Sequence, residues 1–325
     1  MHHPLRAVLN WAGRNGPLLL FAGVLVGLVA PSLAHAARPL FGFAVFVFTL
    51  GAFLKVDLVS FRVELQQRSW IAVVLLWTTF GVPLVMFVLV RLLQPETALA
   101  QAMMLCMLAP PVGSAAAIAA MLGLSAPLAL LATVSAMLLS PLYLPLLATW
   151  LGSYQLQIDP LAMMQRLLVI VGGAGVCATL LHRHARNFIA QNPHAMTGIS
   201  VFGLILVAVG AMRGMQNYFL VNPREVLSYL MLAFVMNVGF QAMGAALFSF
   251  AGPVRALTIG LVSGNRSVTL AWAAAGSSLA GNQQVELYLA MSVFPIFMLP
   301  LLERRLIERM LSAKQARSTL PRPRA

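Results

Sequence analysis

The chain has 325 residues, 60% of them apolar and only 9% charged, with a formal net charge of +13. A soluble domain carries about a quarter of its residues as charges in a solvated shell. This chain has too few to build one, so its outer surface must face lipid, and its basic residues read as topology signals with no nucleic-acid partner implied.

The apolar runs are long and continuous, which suits helices and not the short alternating strands of a barrel. They predict an all-α membrane protein with ten transmembrane helices, near 16–35, 39–56, 69–93, 97–122, 126–151, 160–181, 197–215, 225–250, 253–276 and 284–302. The first run follows Arg6 and Arg14 and ends at Ala34-His35-Ala36, which is similar to a signal-peptidase site. It is expected to remain as the first span, because its loss would spoil the repeat described below. With the N-terminus in the cytoplasm, most Lys and Arg fall on the inner side, and only Arg38, Arg91, Arg166, Arg213 and Arg224 fall outside. Both termini are then cytoplasmic, and the low lysine content beside many arginines suggests a bacterial inner membrane.

The third span starts near 69 and the eighth near 225, and the fifth and tenth starts, 126 and 284, are offset almost equally. Five spans per repeat is an odd number, so the second repeat must be inverted, a common plan in transporters. The expected organisation is a single membrane domain over 1–325. Its first inverted repeat covers 16–151 and its second 160–302. A basic cytoplasmic tail, 303–325, is expected to lie against anionic lipid.

Two spans carry chemistry. The fourth contains Ala109-Pro110-Pro111-Val112-Gly113-Ser114, where two prolines remove backbone donors and a glycine permits a non-helical turn. The freed backbone groups are tolerable only against protein or a polar cavity; a simple proline kink is the blander reading. The ninth contains Ser263-Gly264-Asn265-Arg266-Ser267-Val268-Thr269, a polar stretch in an apolar run. A charge such as Arg266 at mid-membrane costs about 2.5–3.5 kcal/mol even on gentle scales. None of the eight acidic residues falls at the middle of a span. Either an anionic substrate supplies the counter-charge, its carboxylate taking two parallel bonds from the guanidinium, or Arg266 is structural and caps helix-end carbonyls. Around it Ser263, Asn265, Ser267, Gly113 and Ser114 are candidate hydrogen-bonding partners for substrate, with Pro110, Pro111 and Gly264 making the breaks. Asn237 and Gln241, four apart on the eighth span, share a face that meets either the cavity or a neighbouring helix. Thr78 and Thr79 are weaker candidates, since threonine often bonds its own helix.

Enzymatic signatures are absent: no HExxH, P-loop or GxSxG occurs. Cys106 and Cys177 sit in apolar runs as small core residues. His182 and His184 flank Arg183 at a span end, where a loop or headgroup role is expected. No metal site is expected.

Pro110-Pro111-Val112-Gly113-Ser114 and Ser263-Gly264-Asn265-Arg266-Ser267, followed by Val268-Thr269-Leu270-Ala271, resemble the bile acid:sodium symporter superfamily over nearly the whole chain. The resemblance implies ten spans in two inverted repeats, with discontinuous fourth and ninth spans crossing near the substrate. It also implies a core of spans three to five and eight to ten, moving against a panel of spans one, two, six and seven. Three positions depart from the sodium-coupled pattern. Val262 stands where those members carry an acid, Ala116-Ala117 replace a Ser-Asn pair, and Arg266 replaces a glutamine. A fixed cation about 5 Å from a sodium ion repels it by about 3 kcal/mol at an effective dielectric of 20.

The resulting expectation is a secondary transporter, not an enzyme, that moves a small organic anion by alternating access without sodium or any other cofactor. Two alternatives stay open at this point. One is a sodium-dependent organic anion symporter with a structural Arg266. The other is a drug/metabolite exporter, which shares the five-plus-five plan without needing paired breaks.

Overall fold

Proline decides where many of these helices begin, because it lacks an N–H and is pre-set for the first helical turn. The computed structural model describes residues 3–55, 68–152, 159–279 and 282–318. Helix α1 (His3–Arg14) leads into α2 (Gly16–Val29), followed by α3 (Pro31–Leu54) and α4 (Trp70–Leu93). A short pair, α5 (Thr97–Leu108) and α6 (Ala115–Met121), comes next. Then follow α7 (Ala126–Leu151), α8 (Pro160–His184), the short α9 (Arg186–Gln191) and α10 (Pro193–Ala211). After α11 (Met215–Val221) and α12 (Pro223–Leu247) stands a second short pair, α13 (Pro253–Gly264) and α14 (Val268–Ala275). Helix α15 (Gln283–Leu311) closes the order and runs on to Ser318.

Seven of these, α3, α4, α7, α8, α10, α12 and α15, are long and apolar enough to cross a membrane. The protein is thus an all-helical, multi-pass membrane protein. Its outer surface agrees: Trp150 is 79% exposed, and Leu92, Val169 and Phe250 also project outward. The three other expected spans coincide with α2 and with the pairs α5–α6 and α13–α14, which are short or interrupted.

Two boundaries differ from expectation. The first and second spans divide at Pro31, not at 36–38. Ala30, crowded by the following proline ring, leaves the helical region at φ −116°, ψ 79°. Arg38 precedes a proline too but stays helical at φ −58°, ψ −44°, so α3 passes through Pro39 by one 3₁₀ turn. At the C-terminus, residue 303 marks a change of charge and not of structure, because the helix continues through it. The loop around Arg62 and the tail from Thr319 lie outside the described residues.

Helix α10 packs against α1, α2 and α3, and α8 lies on α3 and α7. In a second group α12 runs along α13, while α5 contacts α4 and α15. Helix α14 touches α3, α5 and α8. The second half of the α13–α14 pair is therefore wedged between the two groups, which brings both breaks to one place.

Candidate functional site

The α5–α6 break and the α13–α14 break meet as a one-rung antiparallel bridge between Pro111 and Arg266. Val112 N–H donates to the Asn265 carbonyl at 2.9 Å, and Ser267 N–H donates to the Pro110 carbonyl at 2.7 Å. Backbone groups freed by each break thus satisfy one another, which is what an apolar surrounding demands.

Arg266 is 1% exposed. Its Nη2 donates to the carbonyls of Thr78 at 2.7 Å and Met107 at 3.1 Å, and its Nη1 to that of Val262 at 3.3 Å. Each acceptor has lost its own helical donor. Around Thr78, α4 takes π-helical register from Trp77 to Gly81, and Val82 N–H bonds Trp77 O, five residues back. The next donor in that register would belong to Pro83, which has no N–H. The donor four residues beyond Met107 would belong to Pro111, with the same result. Val262 lies in the last turn of α13, where carbonyls are orphaned in any helix. One guanidinium therefore closes three backbone vacancies made by two prolines and a helix end.

The neighbouring polar side chains also turn inward. Gln241 Nε2 donates to Asn237 Oδ1 at 2.8 Å, and Asn237 Nδ2 donates to Asn265 Oδ1 at 3.0 Å. Ser263 Oγ receives Trp77 Nε1–H at 2.8 Å and donates to Ile259 O at 2.6 Å. Gly264, ending α13, has no room for a side chain, since a Cβ there would lie 2.4 Å from Asn237 O. Among the described residues, four buried polar atoms at the crossing lack partners: Ser114 Oγ, Asn265 Nδ2, Arg266 Nε and Ser267 Oγ. The space beside Arg266 is only about 10 Å³, room for about one water. The expected meeting of Arg266 with a substrate carboxylate finds no space in this conformation; backbone carbonyls occupy that position.

A larger space opens on one flank of the crossing. A cavity of about 690 Å³ starts at Gly113, Ala116 and Ala117 and reaches Lys55, His182 and Arg186. The opposite end of α3 is bonded to α14 and α15. There Arg38 forms an ion pair with Glu286 of α15 and lies over the Trp272 ring of α14, 4.9 Å from its centroid. Arg166 of α8 caps the end of α14, with Nη1 3.0 Å from Ala275 O and 3.3 Å from Ala274 O. Gly276 follows at φ +56°, and a Cβ there would sit 2.1 Å from Arg166 Nη1.

Residues 42–223, over half of the chain, match the model of the Sodium Bile acid symporter family. The chain belongs to that family. The matched region contains the Pro110–Ser114 break and the cavity lining from Lys55 to Thr197, and it ends before Arg266. Comparison with curated proteins gave no match. Membership makes this a membrane transporter and accords with the lack of enzymatic signatures.

In this symporter-family chain the two interrupted stretches meet at the crossing, and several of their partners carry no sequence signal of their own. The sequence points to the Thr78 side chain, whereas its carbonyl is what Arg266 uses. Pro83, five residues on, was the available signal. Trp77 carries no polar signal in an apolar run, and Lys55, Arg186 and His182 read in sequence as loop or span-end residues.

Proposed function

We propose that this protein is a secondary transporter that carries a small organic anion by alternating access, uncoupled from sodium. One observation carries the reading: a cavity reaches the crossed breaks from one flank, while a clamp of Arg38 and Arg166 ties the other end of α3 and α8 to α14 and α15. That asymmetry fits a carrier resting with access from one side. Ten spans in two inverted five-helix repeats follow if α2, α5–α6 and α13–α14 each count as one span beside the seven long helices. The Lys/Arg distribution supports cytoplasmic termini and, with them, a cavity open to that side.

Arg266 supports sodium independence. A set of convergent carbonyl oxygens is what a small hard cation seeks, and here a tethered guanidinium fills it. We read Arg266 as a built-in cation that holds the crossing together, with Ser114, Asn265 and Ser267 offering their unpaired polar atoms to substrate when the clamp opens.

Uptake of labelled carboxylates into liposomes bearing the purified protein tests this. Uptake is expected to be equal in sodium and potassium buffers. Uptake that requires inward sodium would restore the sodium-symport reading, and no carboxylate uptake in either buffer would remove organic-anion transport.

A further inference from the structure

We propose that the small internal space beside Arg266 is a binding site for one monatomic anion, chloride in ordinary salt, held by Arg266 Nε–H and the Tyr288 hydroxyl. The site is separate from the larger flanking cavity and does not depend on the transport reading.

Arg266 carries a charge that its surroundings do not balance. It is buried, and a guanidinium stays ionised in a protein. Its three acceptors are backbone carbonyls, which offer dipoles and no net charge. Among the described residues no carboxylate bonds it, and the ionisable side chains beside it, Tyr143 and Cys106, are weak acids that keep their protons at neutral pH. A buried charge without a counter-ion is costly.

The space itself suits an anion. It measures about 10 Å³ and lies among buried residues of α5, α12, α13, α14 and α15. Two of its polar groups, Arg266 Nε and the Tyr288 hydroxyl, have no partner among the described residues. The others are engaged: Asn237 bonds Asn265 and Gln241, and Ser292 Oγ donates to Tyr288 O at 2.8 Å. The hydroxyl can donate a hydrogen, and Nε–H can do nothing else. Two free donors at one space, one of them on an unbalanced cation, select a negative charge. Size then selects the ion. The space takes about one water, which excludes carboxylates, phosphate and sulfate. Chloride is slightly wider than water, and the flexible Met107 side chain at the same space can yield the difference. Iodide asks for more room. A water would accept both hydrogen bonds but bring no charge. Chloride held there ties the α13–α14 break to α15.

Full-length protein in detergent is desalted into sodium gluconate, whose anion is too bulky for the site. Thermal unfolding is then followed as chloride replaces gluconate at constant ionic strength. A ligand of the folded state alone raises the melting temperature. Chloride is expected to raise it by about 2 °C or more and to saturate, with a smaller rise for iodide. Tyr288→Phe keeps the ring against Tyr229 and removes a hydroxyl that has no partner, so in gluconate it should melt as the wild type does. Its half-saturating chloride concentration should be about tenfold higher, the loss of one hydrogen bond to a charged group. Ion chromatography of the desalted, denatured protein catches an ion that does not exchange. About one chloride per wild-type chain, and less in Tyr288→Phe, then supports the site. A rise that never saturates, or that iodide matches, is a general salt effect and overturns it. So does a chloride response unchanged in Tyr288→Phe. No response together with no retained chloride also overturns it and leaves a water between Arg266 and Tyr288. None of these readouts uses uptake, so failure of the transport reading and failure of this site remain distinct.

Discussion

The guanidinium of Arg266 and the carbonyl of Thr78, 188 residues apart in sequence, meet at 2.7 Å. The contact joins α4 to the crossing and exists because Pro83 cannot supply the donor that π register assigns to Thr78. The charge is held by backbone that two prolines and a helix end have left unpaired, with no carboxylate bonded to it among the described residues.

Replacing Arg266 by glutamine removes the donor to three buried carbonyls. Each unsatisfied group costs about 1–3 kcal/mol, so a loss of about 3–9 kcal/mol and a lower melting temperature are expected. The emptied carbonyl set becomes open to a small cation. Sodium should therefore raise the melting temperature of Arg266→Gln more than potassium does, while the wild type responds equally to both. Thermal unfolding in the two salts measures this, and an Arg266→Gln variant indifferent to sodium counts against the tethered-cation role.

Gly264→Ala places a methyl group 2.4 Å from the Asn237 carbonyl. Backbone cannot step aside as a flexible side chain can, so α12 and α13 must separate at a cost of about 1–3 kcal/mol. The Asn237–Asn265 hydrogen bond should break with them. Uptake is expected to fall at least tenfold while the protein still inserts and purifies, as size-exclusion profiles and transport assays would show.

Arg38→Ala leaves Glu286 without its partner. Both side chains are 17% exposed, so the penalty is set at about 1–3 kcal/mol, below that of a fully buried pair. Adding Glu286→Gln in that background should recover part of the loss. A double-mutant cycle on melting temperature reads the coupling, and strict additivity would show that the pair holds nothing closed.

Lys55 lines the flanking cavity and, on the transport reading, predicts a pH dependence of organic-anion binding there. Its ammonium is charged below about 8, and an anion prefers that charged form. Below this pH, affinity does not depend on Lys55 ionisation. Above it the bound anion must draw a proton back onto the amine, so affinity should fall by up to about tenfold per pH unit. His182 and Arg186 face the same cavity, and Lys55→Arg is therefore the control. Arginine stays charged, so the break near pH 8 should disappear in calorimetric titrations from pH 7 to 9.5.

Sequence alone determined that this chain is helical, lies in a membrane and is interrupted at Pro110–Ser114 and again beside Gly264, where the structure keeps Ser263 and Gly264 in α13 and opens the chain over Asn265–Ser267. These follow from local rules: continuous apolar runs, missing proline donors and a charge in an apolar segment. It also carried the family resemblance, because the motif at the first break is contiguous. The partners of Arg266 were another matter. Thr78, Met107 and Val262 lie on three different helices, and a carbonyl carries no side-chain signature to mark it. Lys55, His182 and Arg186 had the look of topology charges until folding brought them to one cavity. Only tertiary packing decided that Arg266 meets backbone in place of open space, because burial and orphaned carbonyls arise from how helices assemble and not from the order of residues within any one of them.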